Sequence, residues 1–210
     1  MSNNIIFTYN EESAISSCHG GYINETGAYV ITITEAKLTR SDGGAEFIEF
    51  SGESDDGKKV NYLNICYKKN DGTINTFGNN MIHAIMGCCG IRQSSVVYQG
   101  SNAFSPEFKN KKVGLVLQKI LKTKKAGEDT YSLDIKMPFY PNTWQTILEK
   151  VENKEAVAVK KYLSTLKDKD ERKQVNSNNN QPPFWGEQRR QQHQNQNNTP
   201  QSDFDDDIPF

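Results

Sequence analysis

The chain has 210 residues, with 25 lysines and arginines against 26 aspartates and glutamates, for a net charge of −1. That length holds one ordinary domain plus an appendage. The near-neutral balance excludes a uniformly basic coat for nucleic acid, and no stretch approaches the roughly 18 apolar residues of a membrane helix. The charge is unevenly placed: residues 1–167 carry 20 basic against 18 acidic side chains, and residues 168–210 carry 5 against 8. A local patch stands out at 109–125, with seven lysines and no acid. The cysteines, Cys18, Cys66, Cys88 and Cys89, show neither C-x-x-C nor zinc-finger spacing, so reduced thiols are expected. Met1-Ser2-Asn3-Asn4 begins no secretory signal, and the expected location is the cytoplasm.

Residues 1–27 are turn-rich, with Gly20, Gly21 and Gly27 breaking any period, and read as an N-terminal arm. Residues 28–38 form the first predicted strand, in which Tyr29, Ile31 and Ile33 share a face. Ser41-Asp42-Gly43-Gly44 turns the chain into a second strand, 45–52, and Asp55-Asp56-Gly57 into a third, 58–68. In the third, Leu63, Ile65 and Tyr67 alternate with Tyr62, Asn64 and Cys66. The period then changes. Ile82, Ile85, Met86 and Cys89 predict a helix of about three turns, with Asn79 as N-cap and Gly90 as its stop. A loop carrying Tyr98, Phe104 and Phe108 follows. Residues 112–121 and 129–137 are the fourth and fifth predicted strands, joined by the basic turn 122–128.

Beyond Pro138 and Pro141 the period is helical again. Asn142 and Gln145 stand in capping-box spacing, and Trp144, Ile147, Leu148 and Val151 form one stripe, which makes Trp144 a core residue. A second cap at Asn153 opens a stripe through Val159, Tyr162, Leu163 and Leu166. The charge run 167–173 ends the predicted order. Fifteen of the 29 residues from 174 to 202 are Asn or Gln, which reads as a disordered tether. The last eight residues, Asp203-Phe204-Asp205-Asp206-Asp207-Ile208-Pro209-Phe210, set four acids around apolar anchors. Such a peptide has too little apolar surface to fold alone, but a basic-rimmed pocket could read it. A solubilising tail needs no such anchors.

Three strands, a helix and two strands is the order of a five-stranded OB-fold barrel, whose binding face is the second and third strands with the loops after strands one and four. The divisions are an arm (1–27), an OB-fold-like domain (28–141), C-terminal helices (142–173), a linker (174–202) and an acidic tip (203–210). The tip resembles, residue for residue, the C-terminal tip of bacterial single-stranded-DNA-binding proteins. The body more diffusely resembles phage-encoded single-stranded-DNA-binding proteins over about 27–140. That similarity rests on Gly27-Ala28-Tyr29, on Lys111-Lys112-Val113-Gly114-Leu115-Val116-Leu117, and on Tyr131 followed by Pro138-Phe139-Tyr140-Pro141. It implies a phage replication, recombination or repair protein, acting in a bacterial host's cytoplasm, that recruits partner enzymes through the tip.

Binding single strands without base readout needs cations along phosphates and aromatic faces for stacking. The cation candidates are Arg40, Lys58, Lys59, Lys112, Lys119, Lys122, Lys124 and Lys125. Exposed lysines on strand edges also serve simply to block aggregation. The stacking candidates are Tyr62, Tyr67, Phe77, Tyr98, Phe104 and Phe108, of which about half should be core; Tyr62 leads, opposite the Leu63 and Ile65 face. His19 and His83 with Cys18, Cys88 and Cys89 fit no standard zinc spacing, so neither metal nor cofactor is expected. No phosphate loop, Ser-His-Asp set or paired acid suggests catalysis, and Glu46 and Glu49 read as solvated. An annealing protein that pairs complementary strands and an adaptor that binds no DNA are the alternatives. An exposed strand edge leaves a homo-oligomer open.

Overall fold

A computed structural model describes residues 8–10 and 21–172; Cys18, His19, the linker and the tip 203–210 lie outside them. In chain order the strands are β1 (Gly21–Tyr22), β2 (Gly27–Arg40), β3 (Glu46–Ser54), β4 (Lys58–Lys68), β5 (Val97–Gln99), β6 (Asn102–Phe104), β7 (Lys112–Thr123), β8 (Asp129–Phe139) and β9 (Lys169–Asp170). Helix α1 (Thr76–Cys89) follows β4, and α2 (Ile147–Val151) and α3 (Ala158–Thr165) follow β8. The protein is mainly β: one curled, open sheet with a few helices. The five long strands are those expected from the sequence: β4 has the expected bounds, β3 is shifted toward its C-terminal end, and β2, β7 and β8 are longer by two or three residues.

β2 is the spine. From Ile31 to Arg40 it pairs antiparallel with β3, its first half pairs with β7 (Gly27 opposite Leu117 through Thr32 opposite Lys112), and Lys37 and Leu38 in its second half pair with β6. A bulge between Ile33 and Glu35 marks the handover and bends the strand. β4 pairs with β3, and β8 pairs with β7. The curl brings β4 near β8 without joining them in a ladder, so the barrel stays open along that seam.

The main core lies inside the curl. Ile31, Ile33, Ala36, Ile48, Phe50, Leu63, Leu115 and Leu117 are buried there, and α1 closes it with Met81, Ile85 and Cys88. A second cluster lies on the outer face of β2, β7 and β8, where Val116 and Phe139 meet Val159 of α3 and the half-buried Tyr162, Leu163 and Leu166. β7 is thus covered on both faces, which is why residues 113–117 are all buried instead of alternating.

Several elements differ from expectation. The arm's last residues enter the sheet as β1, with Ile23 2% exposed in the core. The loop expected around Tyr98 contains the β5–β6 hairpin and a 3-10 turn at Pro106–Phe108. Helix α1 starts at Thr76, capped by Asn75 instead of Asn79, while Gly90 ends it in the left-handed region at φ 68°. Its buried positions are Gly78, Met81, Ile85 and Cys88; of the predicted stripe Ile85 is buried, and Ile82, Met86 and Cys89 pack half-buried against the same core. Among the described residues no helix is long and apolar enough to cross a membrane.

The capping box belongs to Thr146 and Glu149, not to Asn142 and Gln145. Trp144 precedes the helix at φ 61° and is 44% exposed, stacked on Phe139 with ring centroids 4.9 Å apart. It is therefore not a core residue. With only five residues α2 never develops the expected stripe: Ile147 packs on the main core, while Leu148 and Val151 are exposed.

Glu149 ties the two C-terminal helices together. Its carboxylate accepts from Thr146 N and Oγ1 on α2, and from Val157 N at 2.9 Å and Ala158 N at 2.7 Å at the start of α3. The Thr146 backbone bond, followed by those from Ala158 and Val157, holds its pKa at about 2. A carboxyl depressed in the fold stabilises fully above its unfolded value of about 4.3 and loses that contribution as pH falls through the folded value. Glu149→Gln should cost about 1–3 kcal/mol at pH 7. The gap between the variant and the parent should narrow between pH 4.5 and 2 in thermal melts. A gap independent of pH there would show that the carboxylate charge contributes nothing.

Candidate nucleic-acid interface

The open seam is bridged by the chain just before β2. Gly21 and Tyr22 run parallel beside Lys58 and Lys59 of β4, and Ile23 N donates to Lys59 O at 2.9 Å. From the other side, Tyr131 OH of β8 donates to Ile23 O at 3.2 Å. Over this bridge lies a groove of about 370 Å³, with Ile23 and Val60 among its lining and Tyr22, Asn61, Tyr62 and Tyr131 around it. The three tyrosines come from three elements and are 59%, 70% and 38% exposed, in that order.

Tyr62 is held there by local backbone. The β3–β4 register slips between Phe50 and Gly52, leaving Asn61 and Tyr62 as the bulge. Tyr62 takes φ 62°, and the Asn64 side chain donates to its carbonyl at 3.1 Å. Opposite, Gly52 lets β2 approach; a Cβ there would sit 2.5 Å from Ile31 Cγ2 and 2.7 Å from Thr32 O. A tyrosine in the left-handed region costs on the order of 1–3 kcal/mol, and its exposed ring returns little of that by packing. Tyr62→Gly should therefore leave folding stability unchanged or raise it by up to about 1 kcal/mol, read by urea denaturation. A loss above about 1 kcal/mol would mean the ring supports the fold.

Lys119 supplies the cation. Its Nζ lies 5.2 Å from the Tyr131 ring centroid, and its backbone N–H donates to Thr26 Oγ1 at 2.9 Å. β7 and β8 outrun the main core, so Leu117 and Ile135 face it while, farther along the same face, Tyr131 lines the groove and Lys119 sits over its ring. No protein-family model matches the chain, and no curated protein matches it.

The cation candidates divide by partner. Lys58 pairs with Asp56 at 3.2 Å, Lys112 with Asp55 at 2.7 Å and Lys124 with Glu128 at 2.9 Å. Such exposed pairs are worth at most about 1 kcal/mol and can exchange a carboxylate for a phosphate. Lys59, Lys119, Lys122 and Lys125 have no ion pair among the described residues. At the β7–β8 hairpin the lysines are not alone: Glu171, held below the ordinary carboxylate range first by Lys169 and less strongly by Lys122, borders it.

Arg40, Tyr98 and Phe104 fall elsewhere. Arg40 opposes Glu46, which opposes Lys68, so this group sits at the far end of β4 from Lys58, roughly 30 Å away at strand spacing. Arg40 Nε donates to Gly44 O at 3.2 Å, Tyr98 is 75% exposed on β5, and Phe104 is partly buried beside Lys37. Phe77 is exposed at the start of α1, and Tyr67 is half-buried against the core. Phe108 is fully buried, edge-on to Phe50 at 5.1 Å, so its ring faces are closed to a base. Glu46, paired with Lys68, ends the β3 face that carries Ile48 and Phe50, while the outer face of β3 and β4 carries Glu49 opposite Lys37 and Asn64. That face is mixed in charge. The structure thus gathers Lys59, Tyr62 and Lys119 from the predicted set and adds Tyr22, Asn61 and Tyr131.

Burial lifts the Cys88 and Cys89 thiols to about 12, so both stay protonated at neutral pH. Among the described residues no three His, Cys, Asp or Glu side chains converge as a metal site.

Proposed function

We propose that this protein binds single-stranded DNA without reading its sequence, and that segment 203–210 recruits replication, recombination or repair enzymes to the bound strand. The observation that carries the first part is the groove: three exposed tyrosines from separate elements, with Lys119 over one ring. Cations for phosphates and aromatic faces for bases are what sequence-tolerant single-strand binding requires. The arrangement of the long strands supports an OB-type barrel: β2 shared between β3 and β7, a helix between the third and fourth long strands, and β1 in place of a closing β4–β8 ladder. The second part rests on the tip's resemblance to the bacterial single-strand binders.

Fluorescence anisotropy tests both. A labelled 30-mer single strand at low salt should bind the whole chain far more tightly than a duplex of the same sequence. A chain that binds neither, or both alike, overturns the reading. Deleting 203–210 should raise single-strand affinity by a few fold at low salt, because four aspartates joined to the same chain no longer compete with phosphate. The same deletion should abolish binding to enzymes that read the tip. If it changes neither, the tip only adds charge.

A further inference from the structure

We propose that the seam groove is a pocket for one unstacked nucleobase, fixing the register of the bound strand at the junction of β1, β4 and β8; this rests on the single-strand reading above. Its size falls at the lower end of small-ligand sites, about 300–1,000 Å³, enough for a base and its sugar. Ile23 and Val60, each 2% exposed, give it an apolar lining against which a base can rest. Tyr22, Tyr62 and Tyr131 offer ring faces around that lining.

The polar groups suit a base of any identity. The Asn61 side chain is exposed and makes no hydrogen bond among the described residues, and its amide offers both a donor and an acceptor to whichever edge it meets. Lys119 Nζ, over Tyr131, is placed to take the phosphate that leads out of the groove. The backbone also points to a ligand. Tyr62 keeps a strained left-handed conformation while 70% exposed, and such strain gathers at sites that use it. A base in a duplex cannot present its faces to the rings. The groove would therefore select single strands by requiring the base to be unpaired.

The test uses the full chain and two eight-nucleotide strands: one wholly abasic, and one with a single adenine analogue, 2-aminopurine, at its centre. The wild type should bind the one-base strand about 10-fold more tightly than the abasic strand, a typical value for one stacked base, and should quench the probe. Tyr22→Ala combined with Tyr62→Gly should remove that difference and the quench, while leaving abasic-strand affinity within about twofold. Both residues are exposed, and a thermal melt checks that the variant is folded. Equal wild-type binding of the two strands, or an equal loss on both in the variant, overturns the pocket but leaves single-strand binding standing. A wild type that binds neither strand, nor the longer 30-mer, overturns the single-strand reading itself.

Discussion

Gly78→Ala should cost more than about 3 kcal/mol, a large share of the roughly 5–15 kcal/mol that holds a domain of this size together. In an unconstrained helix the same change stabilises by about 1 kcal/mol, so the sign is set by context. Gly78 lies in the first turn of α1, and a Cβ there would overlap the Cys66 carbonyl of β4, with Ile65 Cγ2 at 3.3 Å. Backbone meets backbone, and neither can rotate away as a side chain could. Relief requires lifting α1 from β4, which withdraws Met81, Ile85 and Cys88 from the core that the helix closes. Gly87→Ala, on the same helix, is the control: its Cβ would meet only the flexible Ile147 side chain, with the Cδ1 methyl nearest at 2.9 Å. Urea titrations of the two variants should differ by several kcal/mol. A Gly78→Ala protein within about 1 kcal/mol of the parent would show that α1 packs differently.

The same glycine shows where the sequence stops being legible. Alternation marks each long strand because each buries one face, and that signal is local. With Asn79 as its cap the helix reads as starting just past Gly78, when in fact the glycine lies inside the first turn and is the contact that lets the helix dock. Two cap motifs stand four residues apart, at Asn142 and at Thr146, and nothing in the sequence says that Glu149 also meets the amides of Val157 and Ala158. The site was legible in its chemistry and only partly in its membership. Tyr62 and Lys119 stand out as candidates, but Tyr131 shares its alternation with Leu133 and Ile135 and reads as core. It becomes a groove wall only because β8 runs past the core it helps to cover. Tyr22 lies among glycines, and its place beside Lys59 is a long-range pairing with no local signature.

Single-strand affinity should fall by roughly 10³- to 10⁵-fold as salt rises from 50 to 500 mM, because each neutralised phosphate contributes about −0.7 to the log–log slope. The four candidate lysines without ion pairs among the described residues, Lys59, Lys119, Lys122 and Lys125, give a slope near −3. Recruiting Lys58, Lys112 and Lys124 from Asp56, Asp55 and Glu128 takes it to about −5. These exposed pairs weaken as salt rises and release their lysines, so the shallower limit should describe low salt and the steeper one high salt. Lys119→Gln, Lys122→Gln and Lys125→Gln together should flatten the slope by about 2. Arg40→Gln should leave it unchanged, since Arg40 lies at the other end of β4 and is tied to the Gly44 carbonyl. If the triple variant keeps the parent's slope and Arg40→Gln loses part of it, the phosphates run across the far end of the sheet, near Lys37, Lys68 and Phe104. The seam would then lie off the strand's path, and Lys119 would be no more than a cation resting on a tyrosine.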